Sequence, residues 1–284
     1  MKVRDLLPPR PDDMHKGHRG RLLIVGGSER YPGAPALSAL GALRSGAGVV
    51  TLLSLQKVCE ACASRLPEVV YCYEDDKFRW KELAMAQKKI DAVVIGPGLD
   101  RSVATELVTS RMWREWPTKI LVDGDGLNAL AAVQKDLTAR KDSVITPHEG
   151  EAARLLETTP DEIRADRFYA VSELSAKWGC AVLKGHHTLI ASGEKFLEIK
   201  YGNPALSVPG SGDVLSGCIG AFLGMGLEPF DAAVLGATVH GMAGDYLARE
   251  GVDGVLASEI ADAIRKIINA LRNSKNDNNQ NQTK

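Results

Sequence analysis

Short runs of hydrophobic residues alternate with longer stretches of helical spacing along most of the chain. Seven of the runs are too short for a buried helix, and many are rich in valine and isoleucine, which is typical of strands covered on both faces. The predicted strands cover residues 21–25, 49–54, 92–95, 120–122, 143–145, 181–183 and 188–191.

The stretches between these runs predict helices. Apolar residues within 36–43 share one helical face, and Gly46 follows as a stop signal. Pro160 begins a segment of helical spacing that runs to Trp178, and residues 213–247 predict two helices separated by a Gly-Leu-Glu-Pro break. This βαβα order predicts an α/β fold with a central, mostly parallel sheet and helices on both faces.

The domain is expected to occupy residues 1–272, because residues 273–284 are polar and predict a disordered tail.

The chain has 284 residues, of which 44% are hydrophobic, with 35 basic against 36 acidic side chains. This balance indicates a globular protein that needs neither nucleic acid nor a membrane, and the start of the chain lacks a secretory signal, which favours the cytoplasm. Cys59 and Cys62 form a CxxC in a predicted helix, where packing is favoured over zinc or redox chemistry.

Ligands of parallel α/β sheets gather beyond the carboxyl ends of the strands. Residues 26–28 and 96–98 follow two predicted strands and are glycine-rich, so they could approach a ligand closely or simply turn the chain. Asp123 and Asp125 follow a third strand and could hold magnesium through water or cap the next helix. His148 stands at the mouth of a later helix, where it could bind an amide or a phosphate or have no function.

Residues 209–217 are the most informative stretch of the chain. Gly210, Ser211 and Gly212 lead into an apolar helix whose backbone N–H groups could form an anion hole for a phosphate. Asp213 stands in the same helical turn and could act as a base or as an ordinary helix cap. An anion hole beside a base suits transfer of a phosphoryl group from a nucleotide to a hydroxyl.

Lys184 ends a predicted strand and is well placed to contact nucleotide phosphates. The neighbouring His186 and His187 favour a hairpin turn over a metal site, because adjacent strand residues point to opposite faces. The Walker sequence GxxxxGK[ST] does not occur in the sequence, so phosphate binding would need another architecture.

Eleven short motifs, in order from about residue 15 to about residue 245, resemble those of the ADP- or ATP-dependent NAD(P)H-hydrate dehydratases. They are His15-Lys16-Gly17, Gly26-Gly27-Ser28, Pro32-Gly33-Ala34, Gly46-Ala47-Gly48, Ile95-Gly96-Pro97-Gly98-Leu99, Asp123-Gly124-Asp125, Leu127-Asn128, Thr146-Pro147-His148-Glu149-Gly150-Glu151, Leu183-Lys184-Gly185, Gly202-Asn203-Pro204 and Gly210-Ser211-Gly212-Asp213. The resemblance implies a single ribokinase-like domain.

The resemblance also implies an activity. These enzymes restore NADH or NADPH from the S-epimer of the hydrated cofactor, NADHX or NADPHX, by phosphorylating the ring hydroxyl and eliminating phosphate. It implies ADP or ATP as co-substrate, with ADP favoured, and Mg²⁺ with the nucleotide, for which no protein ligand is assigned. It further implies a homo-oligomer, with a tetramer among the options. The chain leaves no room for an epimerase domain ahead of this one, so the epimerase is expected to be a separate protein.

By similarity, each group of site residues acquires a role. Asp213 becomes the catalytic base, and Gly210, Ser211 and Gly212 form the anion hole. The positions expected to contact the hydrated cofactor are Ala34, Gly98, His148 and Asp213. The nucleotide positions are Lys184, Gly185, His186, His187, Thr188 and Gly212, with Asn203 as a further candidate.

Two of the departures from the family pattern concern the nucleotide side, because Val208 and Pro209 stand where a threonine and a glycine are common. Proline removes an N–H and valine removes a hydroxyl, which puts nucleotide affinity and choice in doubt. Two alternatives stay open: a ribokinase-like small-molecule kinase of the hydroxyethylthiazole or hydroxymethylpyrimidine type, and a nonenzymatic nucleotide-binding sensor.

Overall fold

Nine strands form one sheet in the computed structural model, which describes residues 2–87 and 89–280 of the chain. The strands are β1 Arg21–Val25, β2 Val49–Ser54, β3 Val70–Tyr73, β4 Ala92–Ile95, β5 Lys119–Val122, β6 Ser143–Ile145, β7 Cys180–Leu183, β8 Thr188–Ser192 and β9 Lys195–Ile199. Their order across the sheet is β3-β2-β1-β4-β5-β6-β7-β8-β9. All neighbouring pairs are parallel except β7 with β8 and β8 with β9, which are antiparallel.

Helices cover both faces of this sheet. They are α1 Gly33–Ser45, α2 Gln56–Ala63, α3 Trp80–Ala86, α4 Val103–Glu115, α5 Asp125–Val133, α6 Glu149–Leu155, α7 Pro160–Ala165, α8 Arg167–Trp178, α9 Ser211–Gly224, α10 Pro229–Leu247 and α11 Ala257–Gln280. Alternate residues of the central strands enter opposite cores: Leu22 and Ile24 belong to the core that includes residues of α9 and α10, and Leu23 and Val25 belong to the core that includes residues of α4 and α8. The predicted α/β architecture is therefore confirmed.

All seven predicted strands are confirmed, and the two that the pattern did not predict, β3 and β9, are the two edge strands. Both expose large side chains: Val70 is 52% exposed, and Tyr73 and Phe196 are also exposed. An edge strand has one unpaired side and can leave apolar residues in solvent, so it lacks the continuous buried run that marks a central strand.

The helix predictions hold in two places and fail in one. Gly46, with φ +97°, ends α1 as predicted, and α9 and α10 are separated at the predicted break. The single helical segment predicted to run from Pro160 to Trp178 is wrong, because α7 and α8 are separate helices. Asp166, with φ −144°, leaves the helical conformation, and its carboxylate accepts a hydrogen bond from the Tyr169 N–H at 2.9 Å, which caps α8.

The last helix, α11, reaches Gln280, so it includes residues 273–280 of the segment for which a disordered tail was predicted. Extending a packed helix adds one backbone hydrogen bond for each further residue. Residues 281–284 of the predicted tail lie outside the described residues, and the division of the chain at residue 272 stays a prediction. None of the described helices is both long and apolar enough to cross a membrane.

Candidate active site

The N-terminus of α9 lies where the sequence motif predicted an anion hole. Gly210 precedes the helix with φ +88°, and a Cβ there would come within 2.3 Å of the Leu37 side chain, so glycine is required. The Ser211 N–H donates to the Val208 carbonyl at 3.2 Å, which means that this N–H is already engaged. The first-turn N–H groups of Gly212 and Asp213 have no intrahelical acceptor and remain as donors for an anion.

A buried group of charges lies beside this helix end. The Lys184 Nζ is 2.8 Å from the Asp123 carboxylate and 3.7 Å from that of Glu151. The Thr146 hydroxyl also donates to Asp123, at 2.7 Å. Burial lowers the pKa of Lys184, but the two carboxylates outweigh it and raise that pKa above its ordinary value, so Lys184 stays charged.

Lys184 also reaches the anion hole. A Cβ placed on Gly212 would lie 3.4 Å from the Lys184 Nζ, so a phosphate at this helix end would meet the ammonium directly. Lys184 is fixed at the backbone as well, because its N–H donates to the Pro147 carbonyl at 2.8 Å. The structure thus brings together two predicted phosphate-binding features that are far apart in sequence.

Asp213 lies in the first turn of α9 and is half-buried. Burial, and then the charge of Asp123, raise its pKa to about 8, while Lys184 acts in the opposite direction. A carboxyl group with this pKa is mostly protonated at neutral pH and becomes a stronger base than an ordinary aspartate once it ionises. A pKa close to the working pH is what general base catalysis favours.

His148 caps α6. Its Nδ1 accepts a hydrogen bond from the Gly150 N–H at 2.9 Å, while the Glu151 carboxylate accepts one from the His148 N–H at 2.8 Å. Because Nδ1 is the acceptor, the ring proton of the neutral imidazole is on Nε2. The side chain is 57% exposed, so its outer edge is available to a ligand.

The other two predicted contacts to the hydrated cofactor lie next to each other. A Cβ at Gly98, which has φ +66°, would come within 2.9 Å of the Ala34 Cβ and 2.7 Å of the Tyr31 carbonyl. The loop of Gly98 also touches that of Asp123, since a Cβ at Gly96 would overlap the Asp123 carbonyl. The loops after β1, β4 and β5 therefore form one continuous surface at the carboxyl edge of the sheet.

Asp123 and Asp125 do not cap a helix with their side chains, because Gly124 is the N-cap of α5 and Asp125 is its first residue. Asp123 is occupied by Lys184 and Thr146, and Asp125 accepts from the Asp100 N–H at 2.9 Å. Within residues 2–87 and 89–280, no group of three or more His, Cys, Asp or Glu side chains is arranged to hold a metal ion.

A cavity of about 680 Å³ opens beside the anion hole. Its wall contains all six predicted nucleotide positions and the further candidate, namely Lys184, Gly185, His186, His187, Thr188, Gly212 and Asn203. Val208 and Pro209, which depart from the family pattern, also line it. The volume is within the range of pockets that hold a small-molecule cofactor.

The turn from Lys184 to His187 joins two antiparallel strands, which confirms the predicted hairpin. Arg167 of α8 holds this turn, because its guanidinium donates to the carbonyls of Leu183, Lys184 and His186. On the opposite wall, the Asn203 amide donates to the Asp245 carboxylate at 2.8 Å. The Asn203 side chain is therefore used to shape the cavity.

Sequence reasoning missed His240 and Tyr201, which both line the cavity, and it assigned no role to the partnership of Glu151 with Lys184. His240 is a lone polar ring inside the apolar run of α10, and that interruption was the available signal. The three-residue spacing of His148 and Glu151 was a signal for the capping box.

Comparison with known proteins identifies the family. The sequence profile of the NAD(P)H-hydrate dehydratase family matches residues 22–266. The chain is 38% identical to an ADP-dependent (S)-NAD(P)H-hydrate dehydratase of Neisseria meningitidis, over 93% of this chain and 90% of that protein. It is 37% identical to a bifunctional NAD(P)H-hydrate repair enzyme of Thermofilum pendens, and that match covers 94% of this chain and 53% of the relative. The chain thus spans about half the length of several curated relatives that it matches.

Structural similarity to solved proteins supports the same family assignment. The ADP/ATP-dependent NAD(P)H-hydrate dehydratase of Bacillus subtilis, co-crystallised with ATP and Mg²⁺, superposes with a TM-score of 0.83 at 30% identity, over 95% of this chain and 96% of that one. A ribokinase-like superfamily protein of Enterococcus faecalis superposes with a TM-score of 0.84 at 26% identity, over 94% of both chains, which confirms the ribokinase-like fold implied by the sequence motifs. On the profile match, the relatives and this fold, the chain belongs to the NAD(P)H-hydrate dehydratase family.

Proposed function

We propose that the protein restores NADH or NADPH from the S-epimer of NADHX or NADPHX in a nucleotide-dependent dehydration. The observation that carries this proposal is the placement of Asp213, Lys184 and the first N–H groups of α9 at one edge of the sheet, beside a cavity of nucleotide size. Family membership and the named activities of the relatives support it.

In the first step, the ring hydroxyl of the hydrate attacks the terminal phosphorus of the nucleotide. A new O–P bond forms, the bond from phosphorus to the leaving nucleotide oxygen breaks, and ionised Asp213 accepts the hydroxyl proton. Lys184 and the N–H groups of Gly212 and Asp213 would stabilise the charge on the transferring phosphoryl oxygens.

In the second step, the ring nitrogen's electron pair expels inorganic phosphate. The carbon–oxygen bond breaks, and loss of a proton from the neighbouring ring carbon completes the double bond. Phosphate is a far better leaving group than hydroxide, which is why the nucleotide is consumed. The hydrate would lie along the joined loops of Ala34 and Gly98. His148 is proposed as a further contact.

We keep ADP as the favoured donor, since the relative from Neisseria meningitidis is named as ADP-dependent. Mg²⁺ is expected to enter on the nucleotide phosphates, where it commonly keeps several waters and few protein ligands, and no step above depends on it. A cytoplasmic location, a separate epimerase and a homo-oligomer stay predictions.

The test is to mix the protein with NADHX, Mg²⁺ and either ADP or ATP, and to follow recovery of the reduced nicotinamide absorbance together with release of inorganic phosphate. The Asp213→Asn variant serves as the matched control. Folded protein that gives no recovery with either nucleotide would refute the proposal. Formation of a stable phosphate ester when hydroxyethylthiazole or hydroxymethylpyrimidine replaces NADHX would favour the kinase alternative, and nucleotide binding without any product would favour the sensor.

A further inference from the structure

His240 occupies the wall of the cavity directly behind the anion hole. It lies in α10, is buried to 8% exposure and reaches across to the first residue of α9. Its Nε2 is 3.1 Å from the Ser211 carbonyl oxygen and 3.2 Å from the Ser211 hydroxyl oxygen. The steps proposed above do not use this ring.

The geometry determines which ring nitrogen carries the proton. A carbonyl oxygen can only accept, so the contact with the Ser211 carbonyl requires Nε2 to be the donor. Burial lowers the pKa of His240 to about 4, which leaves the ring neutral at pH 7 with its single proton on Nε2. A protonated Nε2 has no lone pair in the ring plane, so it cannot accept a hydrogen bond from the Ser211 hydroxyl.

The Ser211 hydroxyl is therefore an acceptor toward His240, sharing the Nε2–H with its own carbonyl. The hydrogen of this hydroxyl must be donated to another acceptor. Because Ser211 lines the cavity beside Gly212, a ligand in the cavity can be that acceptor. This matters because the Ser211 N–H is already used by the Val208 carbonyl and cannot serve an anion there.

We infer that the Ser211 hydroxyl donates to an oxygen of the transferring phosphoryl group, and that His240 is the positioning residue that holds this hydroxyl as a donor. The inference rests on the proposed function. Hydrogen bonds to a charged oxygen are among the stronger ones in proteins, so this donor would replace the N–H that the Val208 carbonyl has taken.

The first test needs no turnover. In protein labelled with ¹⁵N-histidine, NMR should show His240 as the neutral tautomer with its proton on Nε2 at pH 7. Ser211→Ala should shift that Nε2 resonance and leave the tautomer unchanged, because the carbonyl still accepts. A proton on Nδ1, or an Nε2 resonance that ignores Ser211→Ala, would overturn the inference.

The second test is kinetic. Ser211→Ala should lower kcat about 10- to 100-fold, while the dissociation constant of the nucleotide, measured separately, changes less than about threefold. Ser211→Thr retains a hydroxyl and should recover most of kcat. Unchanged kcat in Ser211→Ala would overturn the donor role of the Ser211 hydroxyl, whatever activity the His240 variants retain.

A double-mutant cycle then connects the two residues. His240→Leu removes the donor, whereas His240→Gln places an amide N–H the same number of bonds from Cβ and should retain more activity. In the Ser211→Ala background, His240→Leu should lower kcat further by less than about threefold, because the hydroxyl that His240 positions is already absent. Fully additive losses would show that His240 acts by another route.

Thr238→Val, a buried change on the same helix, controls for general loosening of α10. It should leave kcat near the wild-type value. If the wild type turns over no hydrate with either nucleotide, the proposed function fails, and with it the phosphoryl role of Ser211. The NMR test would still decide whether His240 fixes the Ser211 hydroxyl.

Discussion

Replacing Asp213 with asparagine should make the folded protein more stable at neutral pH and remove most of its turnover. The folded site disfavours a charged carboxylate at this position, because burial and the nearby Asp123 raise the pKa of Asp213 from 3.8 to about 8. In the unfolded chain the same carboxyl ionises freely. Asparagine has nearly the same shape and carries no charge.

The size of the effect follows from this difference. Because the pKa is raised in the folded state, ionisation of Asp213 does not affect the free energy of unfolding below about pH 4. As pH rises from there toward 8, ionisation lowers the free energy of unfolding by about 1.4 kcal/mol for each pH unit. At pH 7 the loss is about 4 kcal/mol, and it levels off above about pH 8. Asp213 is half-buried, and screening by solvent makes this figure an upper bound.

Urea unfolding of both proteins between about pH 5 and pH 8 measures the difference directly. The gain in unfolding free energy of Asp213→Asn over the wild type should grow with pH, while the dependence of the unfolding free energy on urea concentration stays the same. Turnover should fall about a hundredfold or more. Asp253→Asn, a change at an exposed loop carboxylate, is the matched control and should show no such trend. A variant no more stable than the wild type at pH 8 would refute the reasoning about the Asp213 environment.

Three further predictions concern the same cluster. The kcat/KM for the hydrate at saturating nucleotide should rise with pH between about pH 6 and pH 8, because Asp213 must ionise to act as a base; a flat profile would argue against that role. His148→Ala should raise the KM for the hydrate and also cost about 1 kcal/mol of cap stability, whereas His148→Asn should restore the cap alone. An effect of His148→Ala confined to nucleotide affinity would place the residue in the other subsite. Lys184→Gln should weaken ADP binding and lower the unfolding free energy by about 3 kcal/mol, because it leaves Asp123 buried without its cation. Calorimetric titration with ADP checks the first effect, and unchanged affinity would contradict it.

The sheet was predictable where its strands are covered on both faces. The run Leu22–Val25 has 0% exposure throughout, so hydrophobicity alone marks it. The strand Lys195–Ile199 has polar residues at both faces of a sheet edge and carries no such mark. The break at Asp166 was missed for a different reason: aspartate inside a helical pattern becomes a cap only if the chain turns there, and neighbouring elements decide that.

The site was predictable in outline because parallel topology collects strand ends at one edge. Asp213, Lys184 and Gly212 meet there as expected. The partners of these residues were not predictable, since Lys184 pairs with Asp123 across 61 residues and His240 reaches Ser211 across 29. Such contacts depend on side-chain reach after the helices have packed, and periodicity contains no information about that.

The charges of the site place opposite demands on Asp213. A phosphate arriving at α9 meets Lys184 already paired with Asp123 and Glu151, and if Asp213 were ionised as well, three carboxylates would repel it. The raised pKa of Asp213 lessens that repulsion, because a protonated carboxyl carries no charge. The chemical step needs Asp213 ionised, however. Neutral donors such as backbone N–H groups and the Ser211 hydroxyl escape this conflict, since they attract the phosphoryl oxygens at every pH, and this is the physical reason to expect them beside a base of shifted pKa.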